Sequence, residues 1–362
     1  MAAEKVNLPN LVRNWPYPRQ LNQHYDEVSA ATSDWVRSFQ CFDQKSQAAF
    51  DKCDFPKLAL LTTPHFDLEH ARTSSDLMAL FFVFDEFTDV EDEHVTRQMS
   101  DIFMDALRNP DKPRPQGEVK IGEMTRQFWD LGRKTATPMA ERHLIETMQL
   151  YVDSVVQEAE DRRTDRVRTV DEYWELRRHT CGCFPTFVLA ELEMDIPEEI
   201  YQHPLLERMR ECAMYSVCVK NDLYSYNIER ARGHGLHNLL TVVMNAQDLG
   251  LQAAVNFIGD WHDKIIKEFF SSWASLPSWG EDIDRQVQYY VESIVRWVRG
   301  CSDWSFEAPR YFGTQAPEIQ RTLQLYMLPR VDALTARDSA HREALETDKH
   351  DIAGMQITVT VR

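Results

Sequence analysis

The sequence changes character at "FFVFDEFTDVEDE", residues 81–93, where an apolar run meets a cluster of carboxylates. A surface helix places its charges opposite the apolar stripe, but here the residues before Asp85 predict a helix buried on every side. Asp85 and Asp89 stand one helical turn apart, and like charges at this spacing destabilise a helix unless a cation lies between them. We therefore interpret this pair as candidate metal ligands. The acidic residues interpreted instead as a solvated helix end are Glu86, Glu91, Asp92 and Glu93.

Composition excludes several functional classes. The net charge of -18 argues against non-specific nucleic-acid binding, which needs a surplus of Lys and Arg. An acidic protein that binds an anion needs local arginines or metal ions as bridges. The seven cysteines are odd in number and form no CxxC pair, which predicts reduced thiols and a cytoplasmic location. The N-terminus lacks the apolar core of a signal peptide, and no 18-residue apolar run predicts a membrane span.

Helical periodicity extends over almost the whole chain. We predict an all-α fold: one domain over residues 1–362, built as a bundle of ten or more helices. Residues 1–21 form a Pro-punctuated N-terminal strap and residues from about 348 to 362 form a tail, where "QITVTVR" is the one candidate strand. The predicted helices cover residues 23–39, 69–90, 93–107, 119–135, 138–163, 170–193, 203–231, 235–246, 250–275, 281–300 and 317–347.

A second set of oxygen donors lies in "VKNDLYSYNIER". Asn221, Ser225 and Glu229 are spaced i, i+4 and i+8, so each step moves only about 40° around a helix and all three share one face. Amide, hydroxyl and carboxylate oxygens suit a hard cation such as Mg²⁺. The competing interpretation is a solvated helix face, but the apolar neighbours predict a buried helix in which polar groups need partners. The acidic stretch fails as an EF-hand, because glycine is missing from the sixth position.

Arginines near glycine form a third feature, in "YWELRRHTCG". The guanidinium fork of Arg178 matches the geometry of phosphate oxygens. The competing interpretation is a surface salt bridge from Arg177 or Arg178 to Glu172 or Glu175. Gly182, four residues after Arg178, either breaks a helix or serves the site.

A fourth feature is the Arg310–Tyr311 pair in "WSFEAPRYFG", predicted as a loop between two helices. Its two side chains offer donors that could close over an anion, and the competing interpretation is an ordinary aromatic connection.

Together these four features resemble the class I terpene cyclases, and specifically the basidiomycete-like fungal sesquiterpene synthases. "DEFTD" (residues 85–89) resembles the family's D(D/E)xxD motif, and "NDLYSYNIE" (residues 221–229) resembles its NDxxSxxxE motif. Arg178 resembles the pyrophosphate-sensing arginine, Gly182 the effector position, and Arg310–Tyr311 the late Arg–Tyr pair. "NLVRNWPYPRQLN" resembles the family's strap, so the resemblance covers nearly the whole chain.

The sequence departs from the family pattern at three positions. Bacterial relatives often place a basic residue just before the motif's glutamate, where this chain has Ile228, so a diphosphate contact is either missing or supplied by a neighbour such as Arg230. Glu86 replaces the second aspartate and is not expected to be a ligand. Cys181, at the linker position between Arg178 and Gly182, hydrogen bonds only weakly.

The resemblance implies a bundle around a central apolar cavity and Mg²⁺-dependent ionisation of farnesyl diphosphate followed by cyclisation. Three Mg²⁺ ions are implied, bound by Asp85 with help from Asp89 and by the Asn221, Ser225 and Glu229 set. Diphosphate contacts are implied for Arg178, Arg310 and Tyr311, and Asn221 is implied as a substrate-binding residue besides its role as a metal ligand. Phe81, Gly182 and Trp304 would contact the hydrocarbon, for which ordinary core packing is the competing interpretation of the two aromatic residues.

Two alternatives remain open from sequence alone. A chain-elongating prenyltransferase would normally carry two aspartate-rich motifs, and this chain has one; a non-catalytic helical scaffold would carry its acidic clusters on the surface. Within the cyclase hypothesis, the strap favours closure between the first and eleventh carbons toward humulyl-derived skeletons such as protoilludene. A homodimer fits the fold.

Overall fold

A computed structural model describes residues 4–13 and 15–329, and helices make up almost all of the regular structure in these residues. The all-α prediction is confirmed. The helices are α1 (Tyr25–Ser38), α2 (Gln44–Cys53), α3 (Phe55–Thr62), α4 (Leu68–Thr88), α5 (Glu93–Arg108), α6 (Lys120–Gly132), α7 (Pro138–Arg163), α8 (Val170–Thr180), α9 (Cys183–Val188), α10 (Glu198–Tyr201), α11 (Pro204–Arg232), α12 (Leu239–Gln247), α13 (Leu251–Ala274), α14 (Glu281–Glu307), α15 (Pro309–Phe312) and α16 (Ala316–Thr322).

The bundle is organised around α4 and α11. Helix α4 is buried on nearly every side from Ala71 to Phe84, and it packs against α1, α3 and α6. Helix α11 packs against α13 on its outer side and against α14. Side-chain caps begin several helices where the sequence places Asp or Thr. Asp67 accepts from the His70 backbone N–H at 3.0 Å at the start of α4, which fixes where the apolar run enters the core.

Several predicted boundaries were wrong, and each error has a local cause. Helices α2 and α3 were not predicted, because both are short and the sequence of α3, "FPKLALLT", is apolar without periodicity. The predicted helix over 170–193 is divided at Gly182, where φ is 66°. Helix α14 continues to Glu307, seven residues past the predicted end.

The C-terminal part of the described chain also differs from prediction. The helix expected over 317–347 ends at Thr322, because Leu323 adopts a left-handed conformation with φ of 55°. A short strand follows, β2 (Gln324–Tyr326), which pairs antiparallel with β1 (Lys5–Asn7) of the strap. The predicted strand "QITVTVR" and the tail from about 348 to 362 lie outside the described residues.

All seven cysteines have free thiols, as predicted from their spacing. None of the described helices combines the length and apolar character needed to cross a membrane.

Candidate active site

A cavity of about 500 Å³ opens between the C-terminal end of α4 and the facing sides of α7, α11 and α14. Its inner wall is apolar and aromatic, and its mouth is charged. This size falls within the range of small-molecule sites. Lining the inner wall are Met78, Phe81, Phe82, Tyr151, Val155, Val217, Trp297 and Trp304.

The structure places Asp85 and Asp89 together at the mouth, as the spacing predicted. Their side chains are 45% and 51% exposed and are held only loosely by arginines: Asp85 lies 3.9 Å from Arg310, and Asp89 lies 3.7 Å from Arg162. Glu86 faces the same arginine, with 3.6 Å between its carboxylate and Arg310. Within the described residues, none of these three carboxylates forms an ion pair shorter than 3.6 Å.

Electrostatics at this end of α4 favours the binding of positive charge. Desolvation at the cavity mouth raises the pKa of the Asp85 carboxyl to about 7, and the neighbouring charge of Asp89 raises it further. The pKa of Asp89 is raised to about 7 mainly by the same desolvation, and the nearby charge of Glu158 on α7 adds to it. A divalent cation between the carboxylates would relieve both effects.

The second donor set projects from α11 into the same cavity. Asn221, Ser225 and Glu229 all line it, which agrees with their shared helical face. The Ser225 hydroxyl is buried, and none of the described residues forms a hydrogen bond of normal geometry with it. Desolvation raises the pKa of Glu229 to about 7, and its carboxylate accepts from Asn238 at 2.9 Å.

Two adjacent arginines on α8 have different surroundings. Arg177 lines the cavity and donates at 2.7 Å to both Asn221 and Asp222. Arg178, the predicted diphosphate contact, is not part of the cavity lining; it donates to Glu211 at 3.1 Å and lies over the ring of Phe184. The structure therefore brings Arg177, and not Arg178, to the other predicted site residues.

The competing interpretation, a salt bridge from these arginines to Glu172 or Glu175, was wrong in the partner: Arg178 pairs with Glu211 at 3.1 Å and Arg177 with Asp222 at 2.7 Å. Glu172 caps the start of α8 by accepting from the Thr169 backbone N–H at 3.0 Å, and it accepts from Arg166 at 2.7 Å. It is therefore engaged at the first turn of the helix.

Asp222, a motif residue that the sequence analysis did not assign, organises this side of the site. Its carboxylate accepts from the Leu239 backbone N–H at 2.8 Å, from Arg177 at 2.7 Å and from the Tyr173 hydroxyl. It thereby fixes α8 and α12 against α11. Its place beside Asn221 within the motif was the available sequence signal.

Gly182 lies where the cavity wall breaks between α8 and α9. Besides its positive φ, a Cβ at this position would lie 3.1 Å from the Phe81 ring and 3.7 Å from Tyr151. Phe81 and Tyr151 pack with ring centroids 4.6 Å apart. The backbone at Gly182, between α8 and α9, therefore lies close to the aromatic wall. Only glycine fits at this position without displacing the Phe81 ring.

Arg310 and Tyr311 lie in the short helix α15, not in the predicted loop, and both line the cavity. The Tyr311 hydroxyl accepts from the Asn221 side chain at 2.8 Å, which joins α15 to the α11 donor set. Arg310 lies over the ring of Phe82 at 4.9 Å. Trp304 is fully buried, lines the cavity and packs edge-on against Tyr311 at 5.7 Å.

The donors fit metal ions that share their coordination with a ligand. Within residues 4–13 and 15–329, no three His, Cys, Asp or Glu side chains converge closely enough to hold a metal alone. The buried Ser225 oxygen, which interacts with Glu229 without a hydrogen bond of normal geometry, and the mutually repelling carboxylates of Asp85 and Asp89 are nevertheless groups that a cation would satisfy. Such a cation would need further oxygens from water or an anionic substrate.

The sequence matches one protein-family model and several known proteins. Residues 76–268 match the family described as "Terpene synthase family 2, C-terminal metal binding". The chain is 43% identical over 334 residues to a Δ6-protoilludene synthase of Stereum hirsutum, covering 91% of this chain and 90% of that protein. It is 41% identical over 329 residues to a Δ6-protoilludene synthase of Armillaria gallica, covering 91% and 95%.

Solved structures share the fold at low sequence identity. The crystal structure of α-eudesmol synthase superposes with a TM-score of 0.72 at 20% identity, covering 81% of this chain and 98% of that one. Linalool/nerolidol synthase of Streptomyces clavuligerus in complex with 2-fluorogeranyl diphosphate superposes with a TM-score of 0.71 at 21% identity, covering 80% and 97%.

Proposed function

The chain belongs to terpene synthase family 2, and from this premise we propose that it converts farnesyl diphosphate to a sesquiterpene with release of diphosphate. It is a sesquiterpene synthase, a lyase that acts on an isoprenyl diphosphate. The observation that carries the proposal is the convergence of two oxygen-donor sets, from α4 and α11, at the mouth of one aromatic cavity.

We assign the metal-binding roles to the two sets at the mouth. Asp85, assisted by Asp89, would hold two Mg²⁺ ions, and Asn221, Ser225 and Glu229 would hold a third. When bound, Mg²⁺ supplies Lewis-acid stabilisation of the diphosphate leaving group. The number of carboxylates is small, which leaves coordination positions open for substrate oxygens.

The chain's own donors would bind the diphosphate directly. Arg310 and Tyr311 approach from α15 and Arg177 from α8, so they surround the mouth from two sides. Fixed donors that stabilise developing negative charge cost little reorganisation when the C–O bond breaks. We assign to Arg177 the diphosphate contact that the sequence predicted for Arg178, because Arg177 is the one of the two that reaches Asn221.

The apolar part of the cavity would protect the carbocation from water until ring closure is complete. The faces of aromatic rings attract cations, by roughly 2 kcal/mol or more when desolvated. Phe81 and Trp304 both line this wall, and Phe81 lies one turn deeper in α4 than Asp85. The backbone carbonyl at Gly182 would add a dipole, because this glycine lies close to the Phe81 ring.

For the product we propose a protoilludene-type skeleton, formed by closure between the first and eleventh carbons. The support is the name shared by several relatives at 40–43% identity over most of the chain. Gas chromatography–mass spectrometry of the purified protein incubated with farnesyl diphosphate and Mg²⁺ tests both levels of the proposal. A sesquiterpene other than protoilludene would overturn the product alone, whereas absence of any sesquiterpene would overturn the function.

The same incubation separates the alternatives. A chain-elongating prenyltransferase would consume farnesyl diphosphate only when isopentenyl diphosphate is added, and a scaffold would show no stabilisation by Mg²⁺ with diphosphate. The cytoplasmic location and the homodimer are also proposals, which cell fractionation and light scattering would test.

A further inference from the structure

Arg232 is a cationic side chain at the cavity mouth with no assigned role. It is the last residue of α11, it is exposed and it lines the cavity. Among the described residues, none forms an ion pair or a hydrogen bond with its guanidinium. This distinguishes it from Arg310, Arg162 and Arg177, each of which already faces a partner.

Helix geometry directs Arg232 to the donor face of α11. Counted from Asn221, Ser225 is rotated by about 40° and Glu229 by about 80°, and Arg232, eleven residues on, returns to about 20°. Arg232 also lies one turn beyond Ile228, where related bacterial sequences often carry a basic residue. Arg230, in contrast, is rotated by about 180°, and it donates to the Leu328 carbonyl at 3.3 Å on the far side.

The end of α11 fixes this arrangement. Gly233 adopts a left-handed conformation with φ of 85°, and the backbone N–H groups of Gly233 and His234 donate to the carbonyls of Arg230 and Glu229 at 3.3 and 2.9 Å. This double hydrogen bond is the Schellman arrangement, which ends a helix sharply. Arg232 is therefore held in register with Glu229 and does not lie in a freely moving loop.

Arg232 is surrounded by charges from both proposed metal-binding sets. The charges that act on its guanidinium include Glu229 of the α11 set and Asp89 of the α4 set, together with Arg310 and Glu86. Partial desolvation at the cavity mouth and, after it, the positive charge of Arg310 lower the pKa of Arg232, while the nearby carboxylates act in the opposite direction. Arg310 is paired with Glu86 at 3.6 Å and with Asp85 at 3.9 Å, whereas Arg232 forms no ion pair within the described residues and so keeps its guanidinium fork available for an anion.

We propose that Arg232 binds the substrate diphosphate and replaces the basic contact that is missing at Ile228. The inference rests on the proposed function, because the anion is the diphosphate of an isoprenyl substrate. It also corrects the sequence-based suggestion of Arg230, which points away from the cavity.

The test compares Arg232→Gln with Arg230→Gln as the matched control, and Arg232→Lys as the conservative variant. Isothermal titration calorimetry with inorganic pyrophosphate and Mg²⁺ measures binding without turnover. Loss of a charge-assisted contact predicts that Arg232→Gln weakens the pyrophosphate Kd by about tenfold or more. Arg232→Lys should recover part of the loss, and Arg230→Gln should stay within about twofold of the wild type.

Steady-state kinetics and unfolding complete the design. Arg232→Gln should raise the KM for farnesyl diphosphate, while its urea unfolding midpoint stays that of the wild type, since the side chain has no partner in the described residues. Equal pyrophosphate Kd values for Arg232→Gln and Arg230→Gln would overturn the inference. If the wild type binds pyrophosphate but releases no sesquiterpene, the proposed function fails and the binding comparison still decides the role of Arg232.

Discussion

Gly182→Ala is the perturbation whose consequences the structure defines most closely. The substitution has two separable effects. An alanine at φ of 66° occupies the left-handed region, which costs L-residues about 1–2 kcal/mol. In addition, its Cβ would lie 3.1 and 3.3 Å from two atoms of the Phe81 ring, so the ring must shift by a few tenths of an ångström. The second effect acts on the wall of the reaction cavity.

A matched control isolates the second effect. Gly117 also has a positive φ, of 83°, but a Cβ there would meet nothing within 4 Å, and Gly117 does not line the cavity. Gly117→Ala should therefore lose about 1–2 kcal/mol of unfolding free energy with unchanged catalysis. Gly182→Ala should lose about 2–5 kcal/mol, because ring displacement of about 1–3 kcal/mol adds to the same backbone strain.

Catalysis should separate the two variants more sharply than stability does. Small misplacements in an active site cost rate steeply, so we expect Gly182→Ala to lower kcat by about tenfold and to change the product distribution measured by gas chromatography–mass spectrometry. Adding Phe81→Leu should restore part of the lost stability, since the two changes share one contact. If a folded Gly182→Ala enzyme keeps the kcat and the products of the wild type, the hypothesis that Gly182 shapes the cavity wall is refuted.

Two further predictions follow from the charges. Asp85→Asn should lower turnover by about 100-fold or more and abolish thermal stabilisation by Mg²⁺ with pyrophosphate. The metal-free variant should stay folded, because a like-charge repulsion with Asp89 is removed. Near-normal turnover would contradict the metal assignment. Burial disfavours the charged form of the His143 ring, but Glu191 and Glu198 outweigh burial and raise its pKa. The stabilisation from protonated His143 should be complete below pH of about 6.5 and should fall as the pH rises through the raised folded-state pKa. Urea unfolding between pH 6 and 9 should show this slope in the wild type and a flatter one in His143→Gln, and parallel slopes would contradict it.

Features that one helix specifies alone could be predicted from sequence. Asp85 with Asp89, and Asn221 with Ser225 and Glu229, are each spaced within a single helix, so the helical period alone places each set on one face. The structure places both sets at one cavity, as expected. The same argument identifies Arg232, because it uses only the period of α11 and the glycine that ends it.

Features that depend on how one element docks against another could not be predicted in this way. Arg177 and Arg178 are adjacent, so they differ by about 100° around α8, and the side that faces the cavity depends on how α8 packs against α11. Asp222 determines that packing through hydrogen bonds to residues about 17 to 49 positions away in sequence. Pairing of β1 with β2 likewise joins opposite ends of the described chain, and no local pattern in either segment specifies it.

The acidic residues of the site are placed within single helices, whereas its basic residues are placed by packing between helices. Two helices supply the proposed metal ligands, whereas α8, α11 and α15 each supply one of the arginines proposed to bind diphosphate. Basic residues from three helices come together only when the bundle is assembled. Destabilising a contact between helices should therefore weaken diphosphate binding before it changes the spacing of the oxygen donors within α4 or α11. The hydrogen bond from Asn221 to Tyr311 links one donor set to α15 across such a contact. Diphosphate binding is for this reason expected to depend on the position of α15, since the same Asn221 side chain donates to Tyr311 and accepts from Arg177.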